Sequence, residues 1–335
     1  MKRLRIAVLS TLSLLLISWI VQAEIPQISD PVRAPAPDAD GGWVPYGTTY
    51  VWSTDFRDVE GLRARLTYLH GLGVRTLLQM HGPSTPMPER RRFLDEAHAL
   101  DMKVIVRLSG TGSQDPPWGW DGQHFDMSPL ATFLAGEGIA DHPALLAIYG
   151  IHIPWEHLER AQILQFYTEF HQVAGDIPLY HDLVYVDQGN EEDDDAYDLE
   201  PGMCDLCEIS SMPHTWRDGL PANSDPHVEQ KIVRYTSHIR EKDPNAQVWI
   251  QAQTFQQTAA NFRMPTPQDM LWHADTLMAH VDFDGLLWYP YLHSYEQQLG
   301  DEDKEAHRQV VRTVYLKYYS DWQPTDWVYI PFVHK

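Results

Sequence analysis

From Trp43 onward the chain alternates between short apolar runs and longer stretches whose apolar residues recur every three or four positions. The short runs are TTYVWS (48–53), RTLLQM (75–80), KVIVRL (103–108), LLAIYGI (145–151), PLYHDLVYV (178–186), CDLCEIS (204–210), QVWIQAQ (247–253) and DGLLWYPY (284–291). Their length and their β-branched and aromatic content predict strands. The intervening DVEGLRARLTYLHGLG, PERRRFLDEAHALD, SPLATFLAGEG, ERAQILQFYTEFHQVAG, HVEQKIVRYTSHIREKD, TPQDMLWHADTLMAHV and EAHRQVVRTVYLKYYSDW carry helical spacing. Strands that alternate with amphipathic helices predict a parallel sheet covered by helices. Eight such units over residues 43–335 predict a single α/β domain, a (β/α)8 TIM barrel. The connection between strands five and six is the irregular one: DQGNEEDDDAYDLEPGM has no helical pattern. A doubly wound open sheet is the alternative, but no Gly-rich phosphate loop follows the first strand, so a dinucleotide cofactor is unsupported.

The fourth strand runs into GIHIPWEH, Gly150 to His157, and so delivers Glu156 to the point where strand gives way to helix. In a parallel α/β barrel that end carries the active site. Alternate strand residues face the interior. If Glu156 points inward, Pro154, His152 and Gly150 do too, and Tyr149, Ile151 and Ile153 face the helices.

The N-terminus changes the picture of where the protein works. Lys2, Arg3 and Arg5 precede the apolar run IAVLSTLSLLLISWIV, and VQA follows before Glu24. This reads as a signal peptide over residues 1–23, with an uncleaved membrane anchor as the alternative. Residues 24–42, rich in Pro and Asp, read as a tether. The expected compartment is therefore periplasmic or secreted. Cleavage would remove three positive charges and no negative ones, taking the formal net charge from −22 to −25. So acidic a chain is not expected to bind nucleic acid, or membrane beyond the export signal, because both need basic patches. The two cysteines, Cys204 and Cys207 in CDLC, suit a local disulfide in an exported protein. Without a second CxxC they do not complete a zinc site.

The residues of the fourth strand resemble the glycoside-hydrolase superfamily of (β/α)8 barrels, in which many secreted relatives show Gly-Trp-Tyr-x-x-Asp-Glu-Pro at this place. Gly150 and Glu156 match; Trp155 stands at the aspartate and His157 at the proline. VWIQAQTF, RMPTPQDM and DGLLWYPY resemble the seventh strand, an Arg-x-Pro-Thr-x-x-Glu helix start and the eighth strand of such proteins. The resemblance implies an O-glycosyl hydrolase with Glu156 as general acid/base. Its retaining clan carries the nucleophile at the end of strand seven, where this chain has Gln251 and Gln253. A second carboxylate is needed at about 5–5.5 Å for retention or 6.5–9.5 Å for inversion. Glu208 is the first candidate, then Asp182, Asp187 and Asp55; an ion pair with Arg107 is the structural alternative for Glu208.

Sugar rings offer C–H faces to aromatic groups and hydroxyls to polar ones. By that chemistry the candidates for substrate contact are His81, Arg107, Trp118, Trp120, His152, Gln253, Trp288, Tyr289 and Tyr291, with His293 beside them. No metal or other cofactor is expected: the acidic run EEDDDAYDLE lacks the alternation of a calcium loop, and no HExxH occurs. No GxSxG elbow is present either. A non-catalytic glycan-binding barrel, or a polysaccharide lyase using His and Tyr, remains as an alternative function.

Overall fold

The computed structural model describes residues 43–51, 57–82, 85–108, 118–152, 154, 158–186, 200–214, 216–217, 220–221, 226–292 and 295–320. Asp55, Trp155, Glu156, His157, Asp187, His293, the signal and tether segments and the acidic run up to Leu199 lie outside them. Eight parallel strands close a barrel: β1 Tyr46–Thr49, β2 Thr76–His81, β3 Lys103–Leu108, β4 Leu145–His152, β5 Leu179–Val186, β6 Leu206–Ser211, β7 Gln247–Gln253 and β8 Gly285–Tyr289. Each strand pairs with its neighbour in sequence, and β8 closes on β1 through Leu286, Leu287 and Trp288. The open-sheet alternative is thereby excluded. The first strand starts earlier than its sequence pattern suggests and stops at Thr49. Tyr50 follows in the left-handed region at φ 53°, which a strand cannot continue through.

The helices are α1 Val59–Gly71, α2 Met87–His98, α3 Ser128–Leu134, α4 Arg160–Ala174, α5 Pro226–Lys242, α6 Pro267–His280 and α7 Glu305–Tyr318. None is described between β5 and β6. Their starts follow from local chemistry. Asp58 accepts from Gly61 N at the head of α1. The RMPTPQDM motif at α6 is a capping box: Thr266 Oγ1 accepts from Asp269 N, Asp269 returns a carboxylate to Thr266 N, and Pro267 fills the first turn. Arg263 braces the same Asp269 at 2.7 Å.

Two apolar layers result. Outward residues such as Leu77, Val106, Ile148, Ile151, Ile209 and Ile250 pack under Leu66, Phe93, Phe133, Phe166 and Leu277 of the helices. Inside the barrel a separate cluster joins Leu78, Ile105, Ala147, Tyr149, Tyr180, Leu206, Trp249 and Leu287. Gly285 makes room for the Trp249 ring, which a Cβ there would meet at 2.5 Å.

The parity expected for β4 fails at Tyr149 and Gly150 and holds at Ile151 and His152. Tyr149 belongs to the interior cluster, while Gly150 faces outward, its missing Cβ 2.3 Å from His181 Nε2. The β4–β5 register shifts between Tyr149 and His152, and Ile151 stays in the outer layer. This bulge returns His152 to the interior side, where it contacts Asp182. Cys204 and Cys207 are joined in a disulfide, Cα–Cα 5.4 Å, on the outer side of β6. Among the described residues no helix is long and apolar enough to cross a membrane.

Candidate active site

The C-terminal ends of the strands gather one polar constellation. His152 ends β4 and brings Nδ1 to 2.7 Å from Asp182 Oδ2 on β5. The Tyr149 hydroxyl stands 3.2 Å from the same nitrogen. Asp182 is in direct register with both His152 and Glu208 of β6. Ser210 Oγ lies 3.0 Å from Glu208 Oε1 and 3.5 Å from Asp182 Oδ1, so these oxygens can be no farther apart than the two distances together. Gln251 of β7 donates to Glu208 Oε1 and, at 2.9 Å, to Ser210 Oγ; the Tyr180 hydroxyl donates to Glu208 Oε2.

Exposure divides this group. The His152 side chain is 39% exposed, whereas that of Asp182 is 2% exposed and the whole of Glu208 is buried. Burial pushes the Glu208 carboxyl well above its usual range, and the neighbouring Asp182 pushes it further. The hydroxyls of Tyr180 and Ser210, with Arg107, oppose the shift without overcoming it. Burial likewise raises the phenols of Tyr149 and Tyr180 well above their usual value.

Opposite the acidic side stands an aromatic one. Arg107 of β3 bonds to the Tyr50 hydroxyl at 2.6 Å, and its guanidinium lies 4.9 Å from the centre of the Tyr149 ring. Tyr50 packs edge-on to Tyr289, whose hydroxyl meets that of Tyr295 at 2.8 Å; Phe255 stacks on Tyr295. Arg107, His152, Asp182, Glu208, Gln251 and Tyr289 therefore share the interior face.

Six of the residues expected to contact substrate are committed to other contacts. His81 is fully buried between Phe93 of α2 and Phe133 of α3, and desolvation takes its imidazole down to about 3. Trp118 is not a surface platform: it is 1% exposed, packs on Phe166 and donates to Gly150 O at 3.1 Å. Trp288 faces α7 and donates to the Tyr46 hydroxyl, which donates to Val311 O. Tyr291 lies in the outer layer beneath Arg65. Gln253 is committed to structure, accepting from His214 N and donating to the carbonyls of His214, Phe255 and Arg263. Trp120 packs on Phe125 in the loop before α3, which Glu169 of α4 holds through Phe125 N. That loop is attached to the helical shell.

The sequence reading missed Tyr149, Tyr180, Ser210, Tyr50 and Tyr295. Ser210 and Tyr180 could have been found by carrying the alternation from Glu208 and Asp182 along their own strands. Tyr149 could not, because a bulge leaves no periodic signal. Among the described residues no group of three or more His, Cys, Asp or Glu is placed to hold a metal ion.

No protein-family model matches the sequence, and no curated protein matches it. Solved structures do. The GH5_18 protein of Bifidobacterium longum subsp. longum superimposes with a TM-score of 0.57 at 12% identity, over 84% of this chain and 80% of that one. The exo-beta-1,4-mannosidase of an Opitutaceae bacterium gives 0.56 at 14% identity, over 86% of this chain and 62% of that one. The beta-mannanase of the blue mussel Mytilus edulis gives 0.55 at 12%, over 88% and 98%. At these identities the likeness concerns architecture: the chain has the (β/α)8 barrel fold found in glycoside hydrolases.

Proposed function

We propose that the protein is an exported glycoside hydrolase acting on a poly- or oligosaccharide, with Glu156 as general acid/base. The observation that carries this reading is the two-sided interior at the C-terminal strand ends. Carboxyl, hydroxyl and amide groups of Asp182, Glu208, Ser210 and Gln251 stand on one side, and Arg107, Tyr50, Tyr289 and Tyr295 on the other. The acidic side is buried and holds His152 at the mouth, and the partly exposed His152, Arg107, Tyr289 and Tyr295 offer polar groups to hydroxyls and ring faces to C–H bonds. This end of the fold is where barrel enzymes do their chemistry. Mature protein incubated with a panel of polysaccharides should release reducing ends from at least one. Glu156→Gln should then lose about 10²–10⁴-fold on substrates with poor leaving groups and much less on activated aryl glycosides. Equal loss on both would remove Glu156 from the acid role.

A second reading is favoured by one contact. His152 against Asp182, with the Tyr149 hydroxyl beside it, is also an arrangement that could abstract a carbon-bound proton, as a polysaccharide lyase does. A lyase would leave an unsaturated uronide, visible by its ultraviolet absorbance, and would consume no water. A glycan-binding barrel without catalysis would retain panel members and yield no product.

A further inference from the structure

Beneath the mouth, Tyr180, Asp182, Glu208, Ser210 and Gln251 are buried together, none more than 5% exposed. Asp182 and Glu208 are partners in the β5–β6 register, so two carboxyls stand side by side inside the barrel. Ionising both there would set like charges together away from water, which is costly. The hydrogen bonds of the group show how that cost is avoided. The Tyr180 hydroxyl reaches Glu208 Oε2, and the Gln251 amide reaches Glu208 Oε1 and, at 2.9 Å, Ser210 Oγ. Ser210 Oγ lies 3.0 Å from Glu208 Oε1 and 3.5 Å from Asp182 Oδ1. These are five hydrogen bonds, but the tyrosine hydroxyl, the two amide hydrogens and the serine hydroxyl supply only four protons. Ser210 is left with one proton for two carboxylate oxygens. A fifth proton, held by one of the carboxyls, completes the set. Turning the Gln251 amide over raises the requirement, because its carbonyl donates nothing.

We propose that Asp182, Ser210 and Glu208 form a proton relay: the two carboxyls share one proton, and the Ser210 hydroxyl conveys it between them. With the proton on Glu208, Oε1–H donates to Ser210 Oγ, the serine hydroxyl donates to Asp182 Oδ1, and Asp182 bears the charge. In the transfer, the Glu208 O–H bond breaks as a new one forms at Ser210 Oγ, and the original serine proton passes to Asp182 Oδ1. The negative charge then sits on Glu208, to which Tyr180, Gln251 and Ser210 donate. Both arrangements make the same five hydrogen bonds, and no proton is gained or lost. The 3.5 Å link to Asp182 is the longest, so transfer waits on its shortening. Burial and the neighbouring Asp182 both push the Glu208 carboxyl upward, in agreement with a proton residing there. His152 connects the relay to the mouth: Nδ1 is 2.7 Å from Asp182 Oδ2, and the side chain is 39% exposed. A positive His152 holds the negative charge on Asp182 and the proton on Glu208, whereas a neutral one removes that bias. The other charged or titratable groups facing the pair are Arg107 from β3, Tyr149 from β4 and Tyr180 from β5; β7 contributes the neutral Gln251. Burial keeps both phenols protonated, and a guanidinium keeps its charge, so among these described groups the imidazole is the one whose charge changes in the physiological range. The relay lets buried carboxyls answer a change of charge at the mouth, whatever reaction occurs there.

Infrared spectroscopy of the protein grown with ¹³C-labelled glutamate tests the relay. At about pH 6 the spectrum should contain the C=O band of a protonated carboxylic acid that is displaced by the label and by D₂O and is missing from Glu208→Gln. A spectrum without a protonated glutamate overturns the proposal. As the pH is raised to about 8, the labelled band should weaken while an unlabelled aspartic-acid band grows in its place. Ser210→Ala keeps both carboxyls but removes the carrier, and should lose this exchange of bands. A glutamate band indifferent to pH, or an exchange that persists in Ser210→Ala, overturns the relay. So does a glutamate band that fades with no aspartic-acid band to replace it, because the proton would then have left the pair instead of crossing it. Both variants alter buried side chains and could unfold, so the label decides on the unmodified protein: it tells glutamic from aspartic acid without any substitution.

Discussion

Asp205 stands between the two disulfide cysteines at the N-terminal end of β6, the opposite end from the candidate site, and is 1% exposed. Its Oδ1 accepts from the Tyr167 hydroxyl at 2.7 Å; its Oδ2 accepts from Leu179 N at 2.6 Å and from His171 Nε2 at 3.0 Å. The other ring nitrogen of His171 lies 2.8 Å from Gly175 O, again an acceptor. Both nitrogens therefore need protons, and the imidazolium is the form that satisfies both contacts. Burial pulls the His171 pKa down, but the hydrogen bond and charge of Asp205 outweigh it, and the net shift is upward. Asp205→Asn keeps the shape and one acceptor, but removes the charge and turns an amide N–H₂ toward one of three donors. Hydrogen bonds to a charged group are worth about 1.5–3 kcal/mol each, and breaking a buried pair costs roughly 3–5 kcal/mol. With one acceptor retained, the loss should be about 3 kcal/mol. For a barrel of this size, at about 2 °C per kcal/mol, Tm should fall by roughly 6 °C. The pH dependence carries a sign. A histidine whose folded pKa is raised contributes stability that is complete below its unfolded value of about 6.5 and is lost as pH rises through the folded value. The variant's deficit should therefore be larger at about pH 6 than at about pH 9. Thermal unfolding of both proteins at the two pH values measures it. A fall of less than about 2 °C, or a deficit that does not shrink toward alkaline pH, would refute the reasoning. Catalysis should persist at temperatures where the variant is folded, because this end of a barrel serves stability.

Three further outcomes follow from the placement of other side chains. Trp288→Phe deprives the Tyr46 hydroxyl of its donor and should cost about 1–2 kcal/mol in denaturant unfolding without changing KM; a raised KM at unchanged stability would return Trp288 to the substrate site. Gln253→Leu removes the acceptor of His214 N and a donor from three carbonyls, and should destabilise by roughly 3 kcal/mol, whereas a substrate-binding role would alter KM with Tm preserved. Mass spectrometry of exported protein should find an N-terminus at Glu24 and no alkylatable thiol. A chain starting at Met1, or two labelled cysteines, would overturn the respective expectation.

The alternation of apolar strand and amphipathic helix determined the barrel, because burying a strand on both faces and a helix on one leaves a parallel closed sheet with a helical shell as the natural packing. The capping chemistry at RMPTPQDM was equally local and equally legible. Which side a given residue faces was not. Strand periodicity predicts orientation only where pairing is regular, and the bulge between Tyr149 and His152 reversed the expectation for Tyr149 and Gly150. Composition could nominate His81, Trp118, Trp288 and Tyr291 as sugar ligands, since their chemistry is right. It could not reveal that Phe93 and Phe133, Phe166, α7 and Arg65 had already claimed those side chains for the outer layer. Gln253 shows the same limit: its hydrogen bonds to His214, 39 residues away, and to Arg263 and Phe255 decide its role. The pairing of His152 with Asp182, and of Asp182 with Glu208 through Ser210, exists because β4, β5 and β6 are neighbours in register. Contacts across strands depend on register and closure, which no local stretch of sequence encodes, and the tertiary structure alone decided them.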